Sequence, residues 1–191
     1  MKRWLAGLIV VWCVATLVSG CKSKSSSQSQ GVALTKEVPE NVAGGIVWSF
    51  PSRWVKGGPK AMRVVTYTVA PAEGDTEAAE CAVSFFGGGS GGDVEMNVQR
   101  WSGQFENAPP PTRKDETVDG LSVAKVQIAG NYLAPAGPMM ESQGTKVNFK
   151  MVGAIVGAPE GKVFFKFIGP AKTVDGAAAE FDALIGSIAK K

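Results

Sequence analysis

One stretch of this sequence gathers polar groups beside exposed backbone. It reads Gly87-Gly88-Gly89-Ser90-Gly91-Gly92, then Asp93 opening a helical pattern from Val94 to Phe105. A glycine loop ahead of a helix can cradle an anion through backbone N–H groups and the helix dipole. Phosphate is disfavoured here. No Lys-Ser/Thr pair follows the glycines, and Asp93, placed to cap the helix, already supplies negative charge there. A tight or flexible connector is the better reading of the loop. At about 100° per residue, Val94, Val98, Trp101 and Phe105 fall within a roughly 60° arc. Asn97, Arg100 and Gln104 line one flank of that stripe. Together with Gly91 and Gly92 they are candidate contacts for a partner or ligand. The flank could hold the carbonyls that a glycine loop leaves in need of donors, or it could offer Arg100 to a partner's carboxylate. The first job is preferred.

Other chemistry is sparse. The chain contains no histidine, which removes Ser-His-Asp and Cys-His catalysis, imidazole acid–base work and zinc sites that need His. Glu73, Asp75, Glu77 and Glu80 lack the ligand pattern and fixed glycine of a calcium loop, so a solvated acidic turn is expected and no metal. No cofactor is implied. Trp48, Trp54 and Trp101 could form a sugar-stacking platform, but Trp48 and Trp101 fall on apolar faces and read as core. Trp54, in the Pro51-Ser52-Arg53-Trp54 turn, is the one expected at the surface, and it joins the candidate contacts.

The elements that hold these groups begin with an export signal. Lys2 and Arg3 precede an apolar run, Trp4 to Val18, that is shorter than the ~20 residues of a membrane-spanning helix and ends in small residues. Leu17-Val18-Ser19-Gly20-Cys21 resembles the lipobox of bacterial lipoproteins, with Val18 where that family most often has Leu. The resemblance implies that residues 1–20 are removed and that Cys21 becomes a diacylglyceryl cysteine, further acylated with a fatty acid such as palmitate. Lys22, rather than Asp, after that cysteine resembles the outer-membrane sorting rule, implying a periplasm-facing anchor. Cys13 leaves with the signal, so Cys81 has no partner for a disulfide. Losing Lys2 and Arg3 from the 20 basic residues leaves 18 against 17 acidic ones, which gives nucleic-acid binding no electrostatic footing.

Residues 21–42 are Ser/Gln/Lys-rich near their start and read as a flexible tether, about 20 residues reaching roughly 25 Å. Residues 43–191 suit one domain. Its pattern is mainly strands: Gly45–Phe50, Ala61–Ala70, Glu80–Phe86, Leu121–Ala129 after an Asp119-Gly120 hairpin turn, a strand through Val147, Phe149 and Met151 that Gly153 could bend, and Lys162–Ile168. Pro109-Pro110-Pro111 enforces an extended link, and residues 131–145, with Met139-Met140, read as a long mobile loop. A last helix, capped by Thr173 or Asp175, buries Ala177, Phe181, Leu184 and Ile188. The expectation is an α+β domain in which two main helices cover one antiparallel β-sheet.

Ile46 to Trp54, with its Phe-Pro-x-x-Trp core, resembles the entry of PsbP-like domains, and Lys162 to Ile188 resembles their closing strand and helix. The resemblance implies their α/β sandwich. Such domains serve as extrinsic subunits and assembly helpers of photosystem II and as small envelope lipoproteins. Gly91-Gly92-x-Val94-x-x-Asn97-x-x-Arg100-Trp101-x-x-Gln104-Phe105 resembles a set of bacterial lipoproteins to which no activity is attached. The expected function is a lipid-anchored, non-enzymatic envelope module that binds a partner protein or helps assemble a complex. The alternative is a periplasmic small-molecule or carbohydrate-binding lipoprotein with an open aromatic pocket around Trp54 and the Met139-Met140 loop. An enzyme with a Ser, Asp or Lys catalyst has little beyond possibility to support it.

Two or three acyl chains, at about 0.8 kcal/mol per buried CH₂, make anchoring effectively permanent. Cys21→Ser should therefore yield an unprocessed or soluble protein. Normal cleavage together with carbonate-resistant membrane association of that variant would remove the lipoprotein reading.

Overall fold

In the computed structural model the described residues are 32–35, 41–58, 60–134 and 144–191, so Cys21, the signal segment and the Met139-Met140 loop lie outside them. The described residues belong to one compact unit, Gly31–Lys191. It begins earlier than the sequence suggests. Strand β1 (Leu34–Thr35) pairs with β4 (Phe50–Pro51), and β2 (Val42–Ala43) pairs with β3 (Ile46–Val47), which takes β13 (Ala189–Lys190) on its other edge. Leu34, Thr35 and Val42, assigned to the tether, are thus strand residues, because backbone pairing does not need the apolar alternation that the segment lacks.

The main sheet is antiparallel throughout and dominates the molecule. Its strands are β5 (Val55–Lys56), β6 (Val65–Val69), β7 (Ala79–Phe85), β8 (Phe105–Glu106), β9 (Thr112–Val118), β10 (Leu121–Leu133), β11 (Thr145–Ala158) and β12 (Gly161–Pro170). They run in the order β5-β6-β7-β12-β11-β10-β8, with β9 also paired to β10. The β9–β10 hairpin turns at Asp119 and Gly120, with φ of 48° and 71°, the left-handed pair that an Asp-Gly turn supplies.

Alternation along the strands sorts side chains to two faces. Tyr67, Cys81, Val83, Phe165 and Phe167 join one core cluster with Trp48, Phe50 and Trp54. Val174 of α2 (Ala171–Gly176) and Phe181, Leu184 and Ile185 of α3 (Ala178–Gly186) belong to the same cluster. Cys81 is fully buried in it. Burial and then the charge of Glu80 push its thiol pKa up, so little reactive thiolate forms. The opposite face carries a second cluster, in which Val98 and Trp101 of α1 (Val94–Ser102) meet Phe105, Val126, Met151, Ile155 and Phe164.

Among the described residues, three helices replace the expected two. The last helix breaks at Ala177, and neither Thr173 nor Asp175 caps it, since Pro170 and Ala177 hold the N-cap positions without side-chain bonds. Thr173 instead donates from both N and Oγ1 to Asp75 across the fold, at 2.9 and 2.6 Å. The central helix also stops early. Gly103 closes it by donating to the Gln99 carbonyl, and Phe105 leaves the helix to pair with Tyr132 as a strand residue. Trp54 corrects a further expectation. It is 2% exposed rather than open in its turn, its ring lies 5.0 Å from that of Phe167, and its indole N–H donates to Glu180 Oε2 at 2.8 Å.

Gly153 does not bend β11, because pairing runs without a shift from Val152 to Ala154 on both sides. Its role is clearance: a Cβ there would lie 2.4 Å from Trp101 Cζ3. Gly153→Ala should lower stability by about 1–3 kcal/mol through overpacking. The double variant with Trp101→Leu should lose less than the sum of the two single changes. Denaturant melts decide this, and additive losses would mean that the contact is not what fixes α1.

Candidate functional site

The site forms on the α1 face of the sheet, around a lysine that the sequence reading did not single out. Lys166 lies on the same face of β12 as Phe164 and Ile168. Its cross-strand neighbours are Ala82 on β7 and Gly153 on β11. Ala82 leaves open space on one side, while the Trp101 ring of α1 covers Gly153 on the other and walls that end. The result is a cavity of about 200 Å³ whose lining includes Arg63, Arg100 and Lys166 and no carboxylate. A wider hollow of about 440 Å³ continues from it, sharing Arg63, Ala82 and Lys166 and reaching Glu77, Glu80, Tyr132 and Lys146. The two form one groove.

Within the groove the charges are unequally matched. Glu80 receives Arg63 Nη1 at 2.9 Å and also Lys60, and Glu77 pairs with Lys146. Burial raises the Glu80 pKa, but hydrogen bonds and charge from Lys60 and Arg63 outweigh it and hold the carboxyl below its usual range. Lys166 has no such partner among the described residues. Its ammonium donates to Gln104 Oε1 and stands 5.5 Å from the centre of the Tyr132 ring. Burial first, then Arg100 and Arg63, bring its pKa down to about 8. A lysine lowered in the folded state costs stability wherever it stays protonated. That cost is full below pH 8 and is relieved as pH rises from there toward the ordinary lysine value.

The expected flank divides into three jobs. Asn97 is 2% exposed and donates through Nδ2 to the carbonyls of Gly91 and Asp93, at 2.6 and 2.7 Å. Gln104, beyond the helix end, accepts from Lys166. Arg100 is exposed; its Nη2 donates to Asn97 Oδ1 at 2.5 Å, and no ion pair involves it among the described residues. Asp93 caps α1 by accepting from Met96 N at 2.7 Å. Gly91 and Gly92 take φ of 94° and 74°, and a Cβ on Gly91 would come within 3.0 Å of Phe164. The loop is a close-packed connector. Trp54 belongs to the other face of the sheet and takes no part.

Elsewhere, a cavity of about 220 Å³ is lined in part by Arg113, Asp115, Glu116 and Lys162. Arg113 there forks onto Asp115 at 2.8 and 3.0 Å, so its guanidinium is already spent on the chain itself. The acidic turn is similarly engaged, through Asp75 with Thr173, Glu77 with Lys146 and Glu80 with Arg63. No cluster with metal-ligand composition occurs among the described residues, nor does a helix long and apolar enough to cross a membrane.

The fold is PsbP-like. Cyanobacterial PsbP (CyanoP) from Synechocystis sp. PCC 6803 superposes with a TM-score of 0.53 at 12% identity, over 88% of this chain and 98% of that one. A protein of unknown function from Pseudomonas aeruginosa, PA94, described as a putative regulator, gives 0.48 at 9% identity, over 84% of this chain and 97% of its own. No family model matches the sequence, and no curated protein does.

Asn97 and Arg100 should separate in a mutational test. Asn97→Ala strips donors from two carbonyls and should cost about 1–3 kcal/mol. Arg100→Ala, at an exposed position, should stay within about 0.5 kcal/mol of the parent. Thermal melts of the two variants check this, and an Arg100 loss as large as that of Asn97 would make the arginine a structural residue.

Proposed function

We propose that this chain is a lipid-anchored, non-enzymatic protein of the bacterial envelope, held through Cys21 to the periplasmic side of the outer membrane. In this reading it acts as a protein-binding or assembly-accessory module, with the groove beside α1 as its docking face. Helices α2 and α3 pack into the core cluster of the opposite face, and α1 shares this face with the groove. The observation that carries the reading is Arg100. It is an exposed, planar donor on the rim of a groove with surplus positive charge, held in place by Asn97 and engaged by no carboxylate among the described residues. A preorganised arginine of this kind suits recognition of a planar oxyanion. The GGxVxxNxxRWxxQF stretch supports it further, since its Arg100, Trp101 and Gln104 line this groove.

A second reading, a small-molecule or carbohydrate-binding lipoprotein, loses the aromatic platform around Trp54, because that ring is buried. What remains for it is the same groove, whose size lies within the range of ligand pockets.

Crosslinked pull-down from native membranes tests the first reading. The parent should retain a defined partner, and Arg100→Glu, with an unchanged melting temperature, should lose it. Equal recovery of that partner by the variant would take the groove out of the function.

A further inference from the structure

The groove brings three cations together, of which Arg63 alone has a carboxylate partner, Glu80, among the described residues. Arg63, Arg100 and Lys166 all line the smaller cavity, Phe86, Trp101 and Phe164 supply apolar wall, and no carboxylate is among its lining residues. Lys166 is the least comfortable of the three. It stands between Ala82 and Gly153 on the sheet, its polar neighbours are the Gln104 amide and the Tyr132 ring, and no acidic group pairs with it among the described residues. Half-burying a cation without an anion is unfavourable. The arrangement is what a site looks like when its counter-ion arrives from outside.

We propose that this cavity is a carboxylate-binding pocket, and that the group entering it is an acidic side chain of the docking protein, received by Lys166 and Arg100, with Arg63, itself paired with Glu80, adding positive charge beside them. The proposal deepens the docking reading above and takes from it only the location. Size favours a side chain over a larger body: about 200 Å³ holds a Glu or Asp head with its methylenes against the aromatic wall. The groove is half open, so a partner can deliver such a side chain from its surface. Charge complementarity sets the sign, since the lining of the whole groove carries Arg63, Arg100, Lys146 and Lys166 against Glu77 and Glu80.

Binding should be coupled to a proton. Free Lys166 titrates at about 8, and a carboxylate beside it favours the charged form, so capture takes up a proton near that pH. The charged or titratable groups around Lys166 are Arg63 before β6, Glu80 on β7, Tyr132 on β10, Lys146 on β11 and Arg100 on α1, with Glu77 and Lys60 beyond them. Glu80 is held low and Tyr132 is pushed up by burial, and arginine stays charged. Lys166 is therefore the group whose loss of charge weakens binding as pH rises.

The test uses the full chain in detergent micelles, isotope-labelled, with four probes followed by NMR. These are a blocked peptide with two Glu residues between glycines, its Gln counterpart, glutarate and inorganic phosphate. The Glu peptide should shift the signals of Ala82, Arg100 and Lys166 below about pH 8, and its affinity should fall by up to about tenfold per pH unit above that. The Gln peptide should not bind. Lys166→Met should weaken binding at least fivefold and flatten the pH profile, whereas Arg100→Gln should weaken it and keep the profile. The proposal is overturned by no shifts at 10 mM peptide, by equal binding of the Gln peptide, or by indifference to both variants. Tighter binding of glutarate or phosphate than of the Glu peptide also overturns it, since a free small anion would then be the occupant. If Arg100→Glu loses its partner while the peptide fails to bind, the carboxylate pocket falls and the docking reading stands. If the peptide binds and no partner is retained, the reverse holds.

Discussion

Trp101 reaches the backbone of β11 only because residue 153 carries no side chain. That contact fixes where α1 lies on the sheet, and much else follows from it. With the helix set there, Asn97 is buried against the glycine loop, Gln104 meets Lys166, and Arg100 is left on the rim. The opposite arrangement, a larger residue at 153, would lift the helix by the thickness of a methyl group or more. The lining of the cavity would separate accordingly. A single missing Cβ thus links a packing constraint to the geometry of every polar group in the groove.

The two faces of the sheet solve different problems. One is packed with aromatic side chains and links polar atoms internally, in the chain from Trp48 Nε1 to the Tyr67 hydroxyl at 3.0 Å and on to Asn41 Oδ1 at 2.9 Å, which leaves Asn41 Nδ2 buried without a partner among the described residues. The other is packed only where α1 sits, and beside it the row Thr66–Ala82–Lys166–Gly153 crosses four strands with little bulk. Stability is concentrated on the first face. The second gives some of it up by enclosing a protonated lysine, and that is the kind of local conflict at which functional sites are found.

Much of this was legible in the sequence. The alternation of Val65, Tyr67 and Val69 and of Cys81, Val83 and Phe85 marks strands with one buried face, and Asp93 and Asp119-Gly120 mark a cap and a hairpin by local chemistry alone. What escaped has physical reasons. Strand β9 reads Thr-Arg-Lys-Asp-Glu-Thr-Val; it is held by its ladder to β10 rather than by a buried stripe, so no periodicity betrays it. Phe105 fits a helical stripe and a strand equally well, and Gly103 decides between them. Trp54 is buried by Phe167, more than a hundred residues away, which no turn motif reveals. Lys166 has a signal, one charge inside the apolar run Val163 to Ile168, but its burial depends on a helix some sixty residues upstream.

Strand β9 also bears on how the sheet ends. Its outer edge presents unpaired backbone groups that could template another chain, and its seven residues include Arg113, Lys114, Asp115 and Glu116, all on or near the surface. A strand adding there would have to strip water from four charges in succession, two of each sign, and break the fork between Arg113 and Asp115. At the other end β5 offers only two residues to extend. The sheet therefore terminates itself on both sides, and copies of this protein crowded side by side have no inexpensive way to fuse into a continuous ribbon.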